Sequence, residues 1–332
     1  MAMPETMRAI AIGAPGGPDV LEEVRVPLPV AGPDEVLIEV AAAGVNRPDI
    51  LQRMGGYPPP PGASPLPGLE VAGRIAAVGP GVDPSAIGRR VCALVAGGGY
   101  AEYAVTPYVQ CLPLSPEMKA EEAAALPETL MTVWHNLFER AYVADGDIVL
   151  VHGGTSGIGT TAISLCRLFD IRIIVTCGSG EKCQAALDLG ATHAINYKTH
   201  DFVEEVMRLT GGTGVTAVLD MVGGDYLPRN LACLAEDGRH VSIAVLGGAK
   251  TELSIPQIMT RRLTLTGSTL RPRSAAFKAV LVEEIARSVW PSVTSGELRP
   301  AMDKVFPLAD AADAHRRMEA GEHVGKIVLK VR

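Results

Sequence analysis

The chain has 332 residues, enough for two domains with separate cores. Its 47% hydrophobic content never gathers into an unbroken apolar run of the roughly 20 residues that cross a bilayer. The formal net charge of −7, with no basic tract, argues against nucleic acid as the main partner. The opening MAMPETMRAIAIG lacks a basic start followed by a long apolar core, so no secretory signal is visible and a cytoplasmic location is expected. The six cysteines form no CxxC pair, which indicates neither a zinc knuckle nor a redox dithiol.

Residues 1 to about 125 read as short strands and loops. MRAIAI, EVLIEVAAAGV, VAGRIAAVG and RRVCALV are β-rich and broken by Gly and Pro. PPPPGASPLP (58–67) cannot be regular structure and is expected to be an irregular loop shaping a site. A helix-forming segment follows at 120–141, with Thr132 opening the helix that leads into the next domain. From about 145 the rhythm changes. Strands are expected at 147–152, 171–176, 193–196, 216–221, 239–245 and 263–268, with helices at 157–169, 180–189, 200–210 and 225–236. That alternation predicts an α/β fold with a doubly wound parallel sheet over 126–270, six strands matching the two halves of a dinucleotide fold. Two helices (275–290 and 309–320) and a closing strand (325–331) have no sheet of their own. They are predicted to return to the mostly-β domain, which then comprises 1–125 and 271–332.

The segment DIVLVHGGTSGIGTTAISLCRLF (147–169) is the most informative. An apolar strand runs into a glycine-rich turn and directly into an apolar-periodic helix, the arrangement that brings helix N-terminal amides up to a pyrophosphate. Gly154, Gly157 and Gly159 fall where a side chain would block a phosphate or the helix–sheet packing, while Thr155, Ser156 and Ile158 complete the turn. His152 reads as a packed strand-end residue. The turn after the next strand carries Cys177, Gly178, Ser179 and Lys182, and no carboxylate ends that strand as an NAD site usually requires. A hydroxyl and an ammonium suit the 2′-phosphate of NADP, which favours NADPH over NADH. Tyr197, just past the third strand, is placed to stack near the adenine end. Val245, Leu246 and Gly247 end the fifth strand, and Ser268, Thr269 and Leu270 end the sixth. Ligands bind at strand carboxyl ends, so both groups are expected to flank the nicotinamide.

Several segments together resemble the zinc-independent quinone oxidoreductases, the zeta-crystallin-like group of the medium-chain dehydrogenase/reductase superfamily. These are residues 44–82, 149–165, GATHAINYKTHDFVEEV (190–206), VLDMVGG (218–224) and GKIVL (325–329), in matching order and spacing. PPPPGAS and the closing GKIVL are most similar to the stress-inducible quinone oxidoreductase branch. The resemblance implies a GroES-like catalytic domain beside the Rossmann domain and NADPH-dependent reduction of a quinone. It also places Thr132 close to the cofactor. Zinc enzymes of the superfamily carry Cys and a His-Glu pair where this chain has Asn46 and Leu69-Glu70. Asn and Leu do not replace a thiolate and an imidazole, so no metal is expected.

Asn46 and Tyr57 are the candidates for the acceptor pocket, Asn46 as an amide donor to the substrate oxygen or the nicotinamide ribose, Tyr57 as a hydroxyl donor and aromatic face. Asp49 reads as a first-turn dipole partner, Arg47 and Arg53 as surface charges. Reduction of the carbon–carbon double bond of an enone or alkenal fits the same residues, with Tyr57 as proton donor. An NADP-binding redox sensor using Cys177 is a third reading. The last parallel strand with its flank, LTLTGST (263–269), reads as a sheet edge through which two copies pair as a homodimer.

Overall fold

The computed structural model describes residues 3–332. The chain divides into two compact units, Met1–Met131 with Arg271–Arg332, and Thr132–Leu270. Among the described residues no helix is long and apolar enough to cross a membrane.

In the first unit β1 (Thr6–Ile12) and β2 (Leu21–Pro27) pair antiparallel with each other. β3 (Glu35–Val45), β4 (Glu70–Val78), β5 (Arg90–Leu94), β6 (Tyr103–Pro107) and β7 (Cys111–Pro113) build a second, larger sheet. β3 is its spine, pairing antiparallel with β4 on one edge and, through Glu35–Glu39, with β6 on the other. Helix α1 (Arg47–Arg53) leaves the end of β3 directly. The helix read over 120–141 is broken. Pro127 disfavours helical backbone at Leu126, so α2 (Ala120–Ala123) and α3 (Pro127–Val133) are separate, and Trp134–Arg140 continues as a π-helix.

The second unit is a six-stranded parallel sheet. Its elements are β8 (Ile148–His152), α4 (Gly157–Leu168), β9 (Arg172–Cys177), α5 (Gly180–Asp188), β10 (His193–Asn196), α6 (Phe202–Leu209), β11 (Val215–Asp220), α7 (Tyr226–Cys233), β12 (Leu234–Ser242), α8 (Ile255–Thr260) and β13 (Thr264–Gly267). The strand order β10-β9-β8-β11-β12-β13 reverses direction at β8, the dinucleotide-fold order expected. Strands such as IVLVH are almost wholly apolar because helices cover both faces of a parallel sheet. The expected helix to residue 236 ends at Cys233, and the strand expected over 239–245 spans Leu234–Ser242, so residues 243–247 form a loop. Leu234 and Ala235 are buried apolar residues that suit either element, which is why the pattern did not place this boundary.

After residue 270 the chain adds α9 (Ala275–Ser288), α10 (Trp290–Thr294), β14 (Met302–Pro307), α11 (Ala311–Glu319) and β15 (Lys326–Lys330) to the first unit. The helix expected over 275–290 ends at Ser288, and Pro291 in the first turn of α10 starts a separate short helix that the sequence pattern did not announce. β15 joins β3 antiparallel at Ala42–Val45 and carries β14 parallel on its far side. The closing strand therefore lies against the end of β3 that leads into Asn46. Ile38, Val40, Val71, Ile75, Met318, Ile327 and Leu329 share the core of this unit, each large aliphatic contributing about 1.5–3 kcal/mol on burial.

Candidate active site

The glycine turn of the second unit has the stereochemistry of a phosphate cradle. Gly153 has φ +69°, and a Cβ on Gly159 would lie 2.3 Å from the Gly153 carbonyl oxygen. A Cβ on Gly154 would lie 2.6 Å from Val175 and 3.1 Å from the Cys177 sulfur. Ser156 caps α4, its Oγ accepting from the Gly159 amide at 3.0 Å. Among the described residues the amides of Gly157 and Ile158 have no protein acceptor, so they remain for an anion at the helix N-terminus, with Thr155 beside them. These residues fit the diphosphate of a nicotinamide dinucleotide.

The turn after β9 gathers the residues expected to read the ribose. Ser179 caps α5 through the Lys182 amide at 3.2 Å, and the Tyr197 amide donates to the Cys177 carbonyl at 3.1 Å. A Cβ built on Gly178 would sit 3.0 Å from the Tyr197 hydroxyl and 3.8 Å from Cε of Lys198. Lys198 thus brings an ammonium to the turn that the sequence analysis missed. Its position directly after Tyr197 in INYK was the available signal. The Cys177 thiol is buried and its pKa is pushed up to about 12, chiefly by desolvation, which removes thiolate reactivity at neutral pH.

Thr132 does not open a helix. It lies near the end of α3, where its carbonyl accepts from Asn136 Nδ2 at 2.8 Å. Asn136 Oδ1 accepts in turn from Ser268 Oγ at 2.8 Å, so a buried asparagine, unremarked in the sequence, joins two of the expected cofactor residues. Thr269 and Leu270 continue from there out of the unit. Val245 and Leu246 are half exposed, and their loop is tied to the loop after β11 by Leu246 N to Met221 O (3.2 Å) and Gly247 N to Val222 O (2.7 Å). His152 is fully buried beneath the cradle, between Thr176 Oγ1 at 2.9 Å and Asn230 Oδ1 at 2.7 Å. Asn230 Oδ1 only accepts, so Nε2 carries the proton and Nδ1 accepts from the threonine. Burial holds this imidazole neutral, the structural role expected.

In the first unit Asn46, expected in the acceptor pocket, is held among charged side chains. It is buried at the start of α1, where Nδ2 donates to Glu70 Oε1 at 2.8 Å and Oδ1 accepts from Lys326 Nζ at 2.5 Å. Lys326 also pairs with Glu70 Oε1 at 2.7 Å, and the Glu128 amide donates to Glu70 Oε2 at 2.8 Å. This ammonium–carboxylate–amide cluster occupies the region where the superfamily's zinc enzymes place ligands. Its donor set does not fit a metal: Leu69 offers no ligand, and the Lys326 ammonium already neutralises Glu70. Tyr57 is partly exposed, its ring 5.4 Å from the Arg271 guanidinium, and burial raises its pKa so that the hydroxyl stays protonated.

Behind Asn46 runs a second buried chain. Asp49 accepts from the Asn46 amide (2.8 Å), the Gly68 amide (3.0 Å) and the Tyr100 hydroxyl (3.2 Å). Tyr100 meets His315 Nε2 at 3.1 Å, and His315 Nδ1 meets Arg53 at 3.3 Å. Arg53 only donates, so Nδ1 accepts and Nε2 donates to the tyrosine. Desolvation and the facing arginine lower the His315 pKa to about 3, while desolvation raises that of Asp49 to about 6. Arg53, expected at the surface, is 1% exposed and paired with Glu319 at 2.6 Å. The partner lies on α11, far along the chain, so no local pattern in α1 announces it.

Residues 32–116 match the family described as Alcohol dehydrogenase GroES-like domain, and residues 157–287 the family described as Zinc-binding dehydrogenase. A 2-haloacrylate reductase from a Burkholderia species is 32% identical over 97% of this chain and 98% of its own length. The mycocerosic acid synthase-like polyketide synthase of Mycobacterium tuberculosis is 31% identical over 97% of this chain, which spans only 15% of that protein. A mycobacterial protein solved with NADPH superposes with a TM-score of 0.86 at 32% identity, covering 98% of this chain and 100% of that one. The quinone oxidoreductase of Pseudomonas syringae pv. Tomato DC3000 superposes at 0.85 with 29% identity, over 98% and 100%. With the GroES-like unit, the parallel dinucleotide sheet and the glycine cradle, these relationships establish that the chain belongs to the medium-chain dehydrogenase/reductase superfamily.

Proposed function

We propose that the protein uses NADPH to reduce electron-poor acceptors, quinones first, without a metal, as in the zeta-crystallin-like quinone reductases. The observation that carries the reading is the turn after β9, where Ser179 caps α5 at the Lys182 amide, Tyr197 and Lys198 stand beside Gly178, the Lys182 charge acts on Cys177, and no carboxylate ends the strand. Two ammonium groups and two hydroxyls suit a 2′-phosphate dianion and offer nothing that a bare ribose hydroxyl pair requires.

Bound at the α4 cradle, NADPH would supply a hydride. The chain's own residues bind and orient. Thr155, Ser156 and the free amides of Gly157 and Ile158 hold the diphosphate, and Thr132, Asn136 and Ser268 fix the backbone at the nicotinamide end. Tyr57 offers a protonated hydroxyl to the acceptor. The Asn46–Glu70–Lys326 cluster supplies no Lewis acid, which suits a quinone, whose aromatic product is itself the electron sink.

The second reading is reduction of an activated carbon–carbon double bond, with Tyr57 delivering the proton, and the similarity to a 2-haloacrylate reductase favours it. Purified protein given NADPH with a para-quinone, an ortho-quinone or an enone separates the two by which acceptor accelerates NADPH oxidation. Tight NADPH binding with no acceptor-dependent oxidation would refute both. A homodimer through the outer edge of β13, which among the described residues pairs only with β12, belongs to the same proposal. Light scattering at twice the chain mass, reverting to one on introducing a proline at Leu265, is the expected result.

A further inference from the structure

The segment RPRSAAFK (271–278) places Arg271, Arg273 and Lys278 before and within the first turns of α9, and no acidic residue follows until Glu283. Helix starts favour carboxylates, so this run of cations opposes the local electrostatics. Two of the three are also buried. Arg271 is 6% exposed and Lys278 4%. Arg271 donates only to neutral acceptors: the Ala96 carbonyl at 2.8 Å, Gln52 Oε1 at 2.8 Å and the Tyr57 carbonyl at 3.3 Å. Lys278 Nζ donates to the Arg271 carbonyl at 3.0 Å. Among the described residues neither forms an ion pair; the carboxylate acting on Arg271 is Asp49, at longer range. Burying two cations together without a carboxylate is costly, and burial lowers the Lys278 pKa to about 8. A guanidinium has five N–H donors and an ammonium three, so both keep donors unspent. The guanidinium lies 5.4 Å from the Tyr57 ring centre.

We propose that Arg271 and Lys278 form an anion subsite beside Tyr57, and that the acceptor is an electron-poor quinone or enone carrying a carboxylate a few bonds from the reacting group. The inference rests on Tyr57 marking the acceptor side, as in the proposed function. The stranded positive charge is then completed by the substrate, and the subsite selects for charge where Tyr57 selects for an unsaturated ring or chain.

The test uses the full chain, saturating NADPH and two para-quinones, one bearing a propionate side chain and the other the matching propionamide. Two methylenes insulate the ring, so the acceptors differ in charge and not in reactivity. The proposal expects kcat/KM at least tenfold higher for the carboxylate, expressed in KM, and a ratio near one in Lys278→Met and Arg271→Gln. Equal kcat/KM for the two acceptors in the unaltered protein overturns the subsite while leaving the reductase reading intact. If neither quinone oxidises NADPH, the reductase reading fails. Calorimetric titration of both quinones into the NADP-bound protein then decides the subsite alone, a tenfold tighter carboxylate supporting it and equal affinities overturning it. A Lys278→Met variant that loses NADPH affinity and keeps the acceptor ratio would assign these cations to the cofactor and overturn the proposal.

Discussion

Replacing Lys326 by methionine keeps most of the side-chain volume and removes one charge from a buried pair. Glu70 is fully buried and cannot turn to solvent, because its Oε1 is packed against β3, 2.1 Å from where a Cβ on Gly44 would stand. Without the ammonium it keeps two neutral donors, Asn46 Nδ2 and the Glu128 amide. Breaking a buried ion pair from one side costs about 3–5 kcal/mol, and the two remaining hydrogen bonds place this site near 3 kcal/mol. In a domain of this size that is roughly 6–12 °C in Tm. The assay is urea unfolding at neutral pH followed by Trp290 fluorescence in a Trp134→Phe background, since Trp290 belongs to the same unit as Lys326. Adding Glu70→Gln removes the stranded charge, and the double variant is expected to recover at least about half of the loss. A Lys326→Met protein within about 0.5 kcal/mol of wild type, or a double variant less stable than the single, would refute the reasoning.

Four further outcomes follow from the same geometry. Lys182→Ala and Lys198→Ala should each raise the NADPH Kd about tenfold or more with little change for NADH, the worth of a charge-assisted hydrogen bond; equal loss for both cofactors would remove the phosphate reading. Gly159→Ala drives a methyl onto the Gly153 carbonyl and should weaken NADPH binding at least tenfold by displacing the cradle, read by fluorescence titration. His315, lowered to about 3, takes up its proton in the unfolded chain first. The stability it contributes above about pH 6.5 is therefore lost as pH falls towards 3, about 2 kcal/mol by pH 5. Asp49, raised to about 6, has the opposite sign between roughly pH 6 and 4, so the pH slope of wild type minus His315→Gln isolates the histidine. EDTA should leave turnover unchanged, whereas inhibition reversed by zinc would contradict the Asn46–Glu70–Lys326 assignment.

The parallel sheet was legible because its strands are continuous apolar runs separated by amphipathic helices, a pattern set by burial on both faces. The glycine turn was legible because three glycines between a strand and a helix answer a local steric demand, seen in the close approaches at Gly154 and Gly159. Neither argument reaches the first unit's site. Lys326 meets Asn46, and Arg53 meets Glu319, across most of the chain, so tertiary packing of distant elements and not local pattern decides that these charges are buried. β14 escaped notice because none of its residues is fully buried, and an edge strand lacks the alternation that marks a half-buried one. Asn136 and Lys198 were missed for another reason: each stands beside a residue already recognised, Asn136 bonded to Ser268 and Lys198 next to Tyr197 at Gly178.

The most direct test follows the absorbance of the reduced cofactor with purified protein, EDTA and a para-quinone, comparing NADPH with NADH over a range of concentrations. The proposed function predicts quinone-dependent oxidation with kcat/KM for NADPH at least tenfold above that for NADH, the preference residing in KM. Oxidation of NADH as efficient as that of NADPH, or no oxidation of either cofactor by any acceptor, would contradict the account.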